Sequence, residues 1–135
     1  MFKNRIFIAS NIVLILVAVL HFLASGYDLY FYIWWFDTLM HFLGGLWIGL
    51  LFSWIFFSSP MFNHWKLSGG RTVLLVVITA LIIGAGWEVF EVLARIMDPS
   101  DTIYYTFDTF KDLLLDTSGS CVGAIISVLI MKRLS

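Results

Sequence analysis

Cysteine occurs once, as Cys121 inside an apolar segment, which excludes an internal disulfide and a thiolate zinc cluster and leaves the redox compartment unmarked. Charge is scarce as well. Charged residues make up 13% of the chain and apolar ones 61%, so there is too little polar surface to coat a soluble fold of this size. The Lys and Arg residues are scattered and the formal net charge is −1, which leaves no basic face for nucleic acid. The two prolines, Pro60 and Pro99, fall outside the apolar runs. No repeat, low-complexity tract or second domain breaks the pattern.

What the chain has in quantity is unbroken apolar sequence. Runs at about 6–24, 37–58, 72–97 and 113–131 each suffice to cross about 30 Å of hydrocarbon at a rise of about 1.5 Å per residue. The expected fold is therefore an all-α membrane protein, one bundle of four transmembrane helices forming a single domain over residues 1–135. Residues 6–24 follow Lys3 and Arg5 as in a signal peptide, but the run exceeds an h-region of about 7–15 residues and reads as a membrane helix. Between the runs lie the aromatic stretch 25–36, the segment 59–71 with Pro60 and the Gly69-Gly70 pair as breakers, and 98–112, which opens on Asp98-Pro99.

The basic residues set the orientation. With the N-terminus inside, Lys3, Arg5, Lys66, Arg71, Lys132 and Arg133 are cytoplasmic and only Arg95 and Lys111 lie outside, so both termini are expected in the cytoplasm of a cell-membrane protein. Tyr27, Tyr30, Tyr32, Trp34, Trp35, Tyr104 and Tyr105 then form an outer aromatic belt. The same topology places all nine acids, Asp28, Asp37, Glu88, Glu91, Asp98, Asp101, Asp108, Asp112 and Asp116, in the outer half. Acidic residues contribute little to topology, so their segregation needs another cause.

Depth supplies one. Counted along helical rise from the cytoplasmic ends, His21, His41, Glu88 and Asp116 all lie about 24–26 Å in. Asp37, Glu91 and Asp112 sit about one turn above them, on shared faces. Each stripe continues inward as small residues: Gly45 and Gly49 below His41, Gly84 and Ala80 below Glu88, Gly119 and Gly123 below Asp116. Small residues let helices approach closely in lipid, so the acidic faces are expected to converge. The glycine stripes are equally compatible with contacts in a homo-oligomer.

Several carboxylates cannot share a low-dielectric site without counter-charge, so the cluster calls for a divalent cation, bound protons, or both. The expected metal ligands are Asp37, His41, Glu88 and Asp116. Carboxylates with imidazole suit Zn²⁺, Mn²⁺, Mg²⁺ or Fe²⁺. Glu91 and Asp112 are the expected catalytic residues, one serving as general base; the alternative is that they reach headgroup water or pair with Arg95 and Lys111. His21 reads as structural and Trp87 as an interfacial or core aromatic. Asp28, Asp98, Asp101 and Asp108 read as loop, turn or capping residues.

The blocks FDTLMHFLGG (36–45), GWEVFE (86–91) and FDTFKDLLLDTSGSCVG (107–123) resemble the VanZ-like and YjdF-like small membrane proteins. Glu91 and Ser118 stand where the VanZ-like pattern commonly has Gln and Asn, which brings the chain nearer the YjdF-like branch. The resemblance implies a membrane bundle with an acidic polar site and, for VanZ itself, a link to teicoplanin resistance; it implies no particular reaction.

Three functions fit these residues. The first is a hydrolase in which a divalent metal activates water against a lipid-linked or envelope substrate at the outer leaflet. The second is a cation or proton carrier, against which stands an inner half with few mid-helix polar residues beyond Ser53, Thr79 and Ser127. The third is a scaffold that captures an amphipathic ligand. In each, membrane lipid is the surrounding partner. The orientation is testable by cysteine-accessibility labelling at positions 66 and 102 after replacement of Cys121: position 102 is expected to label from outside and position 66 only after permeabilisation. Labelling of position 66 from outside would reverse the topology.

Overall fold

In hydrocarbon no water satisfies backbone N–H and C=O groups, so each apolar run has to close its hydrogen bonds within itself as a helix. The computed structural model describes residues 2–58, 62, 67–94, 96 and 100–132, and of residues 2–4 the backbone alone. The readings made above for Pro60, Lys66, Arg95, Asp98, Pro99 and Arg133 lie outside the described residues, as does the side chain of Lys3. Five helices are described: α1 (Phe2–Gly26), the single-turn α2 (Leu29–Tyr32), α3 (Phe36–Ser58), α4 (Gly69–Leu93) and α5 (Thr102–Lys132). All but α2 are long and apolar enough to cross a membrane, and no strand occurs among the described residues.

Of the helix boundaries that differ from the sequence expectation, two have a clear local reason. Gly69 and Gly70, expected to break the chain, form the first turn of α4, because Ser68 caps it by accepting the Arg71 N–H at 3.4 Å. A Cβ at Gly69 would stand 2.7 Å from Val128 Cγ1, so the absent side chain seats α4 on α5. The fourth membrane-spanning helix, α5, starts at Thr102 and not near residue 113, because Asp101 accepts the Tyr104 N–H at 3.1 Å and a polar sequence can extend a helix beyond the apolar span. The helix therefore carries Asp108 and Lys111 as well as Asp112 and Asp116.

The bundle is organised around the α3–α5 crossing. A Cβ built at Gly45 would overlap the Asp116 carbonyl, one at Gly49 the Ser120 carbonyl, and one at Gly119 the Phe42 carbonyl; at Gly123 it would lie 2.7 Å from Leu46 O. Residue numbers rise together along both helices in these contacts, so α3 and α5 run parallel. On the other side of α5, Gly84 faces Leu113 and Asp116, and Gly69 faces Val128; here numbers run oppositely, and α4 is antiparallel. α1 packs on α3, with Phe7 and Trp54 rings 4.6 Å apart, and makes no contact with α4 among the described residues.

The interior is small and partly hydroxylated, with Ala24, Ala80, Ala124, Ser10, Ser53, Thr72, Ser120 and Ser127 buried, whereas Ile12, Phe22, Ile82 and Leu93 face outward. This distribution suits lipid, where large apolar groups gain nothing by turning inward and close backbone packing holds helices together. Replacing Gly45 or Gly119 by Ala is expected to lower stability by about 1–3 kcal/mol through overpacking against backbone. Gly44→Ala, which meets open space, serves as control and should cost nothing. Thermal unfolding in detergent measures the difference; equal transitions for Gly45→Ala and Gly44→Ala would contradict the close crossing.

Candidate functional site

The glycine crossing brings the N-terminal halves of α3 and α5 together. Asp37 lies in the first turn of α3 and His41 one turn below it. His41 Nε2 stands 3.6 Å from Asp37 Oδ1 and 3.7 Å from Asp112 Oδ2, and its Nδ1 stands 3.3 Å from Asp116 Oδ1. With Asp116 ionised, and so able only to accept, Nδ1–H donates to it, while Nε2 faces Asp37 and Asp112. Asp37, His41 and Asp112 each offer one ligand atom, all within 4.8 Å of one another, and could hold a metal ion.

Lys111 closes the side of the cluster nearer the N-terminal ends of α3 and α5. Its ammonium donates to Asp108 Oδ1 at 2.7 Å and to Asp37 Oδ2 at 3.3 Å, and stands 3.3 Å from Asp112 Oδ1. The angle at Asp112 makes no hydrogen bond, and this Oδ1, on a residue only 2% exposed, accepts none at all. Burying a carboxylate this incompletely satisfied is costly.

Glu88, at the depth of His41 by helical rise, is directed elsewhere. It is buried on α4 with Oε2 accepting the Thr109 hydroxyl at 2.7 Å, while Oε1 has no hydrogen-bond partner. The group able to hold a metal therefore includes Asp37 and His41 from the expected ligand set, adds Asp112, and leaves Asp116 on the opposite ring nitrogen and Glu88 one interface away. Glu91 accepts the Trp87 Nε1–H at 2.8 Å and lies within electrostatic reach of His41, Glu88 and Asp37.

Three residues were not singled out as site residues from sequence. Lys111 is central and not a peripheral counter-charge; the i,i+3 spacing from Asp108 was the available signal. Thr109, one turn before Asp112, holds Glu88. Tyr30 meets His21 Nδ1 through its hydroxyl at 2.9 Å and stacks edge-on against Phe36, and no spacing rule links α1 to α2. Burial first, and then the charges of Asp37 and Glu91, push the Tyr30 phenol above its ordinary value, so its hydroxyl stays protonated beside the acidic cluster at neutral pH.

Four membrane-spanning helices and a histidine ringed by carboxylates near one end define a multi-pass membrane protein with a buried polar site. The chain belongs to the family described as predicted membrane protein (DUF2238), which matches residues 1–133. No curated protein and no solved structure matches it.

Thr109→Val keeps the shape of the side chain but leaves both Glu88 oxygens without a donor. A loss of about 1–3 kcal/mol is expected from the unpaired buried carboxylate, with Thr109→Ser close to wild type. Thr106→Val, at an exposed hydroxyl that bonds only its own helix, should change little. Chemical or thermal unfolding in detergent compares the three, and indifference to Thr109→Val would remove the Thr109–Glu88 contact from the site.

Proposed function

We propose that this protein is a metal-dependent membrane hydrolase whose site lies at the outer headgroup level and acts on a lipid-linked or envelope substrate. The observation that carries the reading is the two-sided engagement of His41: Nδ1–H fixed by Asp116, Nε2 aimed between Asp37 and Asp112. Carboxylate-oriented imidazole is the usual support of a metal-ligating histidine, because it sets the tautomer and strengthens the donor. In this reading Asp37, His41 and Asp112 bind the metal and Asp116 orients His41. Glu91, braced by Trp87, is the general base. Glu88 stabilises the α4–α5 wall beside them.

Charge supports the same conclusion. Asp37, Asp108, Asp112 and Asp116 surround one ammonium and one imidazole, so with all four ionised two negative charges stay uncompensated even with the imidazole protonated. A divalent ion in place of the imidazole proton leaves one. A metal bound with open positions lowers the pKa of its water towards about 7 and polarises the bond under attack.

Placement at the outer leaflet rests on the Lys/Arg bias and on exposed rings near the site, among them Tyr27, Tyr32, Trp34 and Trp35. The three blocks that resemble VanZ-like and YjdF-like proteins supply Asp37 and His41, Trp87 with Glu88 and Glu91, and Asp108 through Gly123, so the resemblance and the site coincide. The carrier reading has less support: Ser10, Thr72, Ser120 and Ser127 each bond back to their own helix, and Ser53 is a buried inner-half hydroxyl left without a partner.

Elemental analysis of protein purified without chelator and then dialysed is expected to give one divalent metal per chain. His41→Asn and Asp112→Asn should each cut retention at least about tenfold while helical content is kept. Chelation should lower the unfolding temperature of wild type alone. Metal-free wild type whose transition ignores chelator would overturn the proposal.

A further inference from the structure

We infer that Lys111 makes the site selective for a small, tetrahedrally bound ion of the zinc class over calcium and magnesium. The inference rests on the metal reading above and adds the identity of the ion to it. Asp37 and Asp112 each divide their oxygens in the same way. Asp37 turns Oδ1 to His41 and Oδ2 to Lys111; Asp112 turns Oδ2 to His41 and Oδ1 to Lys111. The ammonium therefore occupies the second oxygen of both carboxylates and holds each to one bond towards an ion beside Nε2. Asp108, at 2.7 Å from the same ammonium, anchors Lys111 in that position.

Calcium takes about 6–8 oxygens and commonly uses carboxylates in bidentate fashion. Two carboxylates held to one oxygen each, with an imidazole as third donor, serve it poorly. Magnesium requires near-octahedral geometry and prefers oxygen to nitrogen. The donor spacing argues in the same direction. Across bonds of about 2.1 Å, octahedral neighbours stand about 3.0 Å apart, whereas His41 Nε2 is 3.6 Å and 3.7 Å from its two carboxylate partners. At zinc bond lengths of about 2.0–2.2 Å those two separations correspond to angles of roughly 110–135°, wider than the right angles of an octahedral site, and the carboxylate oxygens lie within 4.8 Å of each other.

The test uses full-length protein in detergent, stripped of metal and loaded with Co²⁺, Zn²⁺ or Ca²⁺ in separate titrations. Tetrahedral Co²⁺ absorbs strongly in the visible and octahedral Co²⁺ only weakly, so wild type should give the intense spectrum, and Zn²⁺ should displace it stoichiometrically. Lys111→Gln removes the ammonium and frees the second carboxylate oxygens. The preference for Zn²⁺ over Ca²⁺ should then fall at least tenfold, chiefly through tighter Ca²⁺ binding, while Lys111→Arg should retain the wild-type preference. Should Lys111→Gln fail to fold, the Co²⁺ spectrum of wild type still decides the geometry. A weak, octahedral spectrum, or an unchanged Zn²⁺/Ca²⁺ ratio in folded Lys111→Gln, would overturn the selectivity inference and leave the metal reading standing. Absence of binding by any of the three ions would overturn both.

Discussion

The polar cluster exists because two helices touch backbone to backbone. At Gly45, Gly49, Gly119 and Gly123 the chain has no side chain to hold α3 and α5 apart, and in lipid, where burial of large apolar groups supplies no force, that intimacy is a principal source of association. The contact also fixes the axial register. With Gly45 against Asp116 and Phe42 against Gly119, His41 falls between Asp112 and Asp116, and Asp37 falls beside Lys111. A slip of one turn along this seam would separate the imidazole from its carboxylates and leave several ionisable groups in hydrocarbon, an expensive arrangement. Packing and electrostatics therefore select the same register.

Compensation of charge is uneven within that frame. Lys111 reaches three carboxylates and His41 another set of three, two of them shared. The result is a tightly connected array in which oxygens on Asp112 and Glu88 still lack hydrogen bonds. One of these oxygens, Asp112 Oδ1, faces the Lys111 ammonium, and the other lies on Glu88 at the α4–α5 interface.

Much of this was legible in the sequence because it depends on rise along a helix, which sequence reports directly. The four spans, the matched depths of His41 and Asp116, and the small-residue stripes beneath them all follow from counting. Azimuth does not. Glu88 shares the depth of His41, yet its carboxylate meets Thr109 because α4 packs against α5 through Gly84 and Glu88, and the rotation of one helix about its axis is set by neighbours that no single segment reveals. Lys111 looked peripheral because its Cα lies at the outer end of the expected span; a long, flexible stem carries its charge back into the cluster. The pairing of His21 with Tyr30 depends on α2, which begins beside Asp28 in a left-handed conformation with φ 53°. Loop geometry of that kind leaves little trace in hydrophobic periodicity.

The parallel course of α3 and α5 has a consequence for biogenesis. Parallel neighbours cannot be joined by a short turn, so α4 must cross the membrane between them, and the two halves of the cluster are separated by most of the remaining chain. During synthesis Asp37 and His41 enter the bilayer long before Asp108, Lys111, Asp112 and Asp116 leave the ribosome. An intermediate holding only the first three spans carries a carboxylate and an imidazole without their partners, together with a Glu88 that lacks Thr109. Such a chain has to be sheltered at the insertion machinery or at the wet membrane boundary until the last helix arrives. Completion of the polar site and completion of the fold are then one event, and a chain truncated before residue 108 presents its quality-control apparatus with exposed membrane charge.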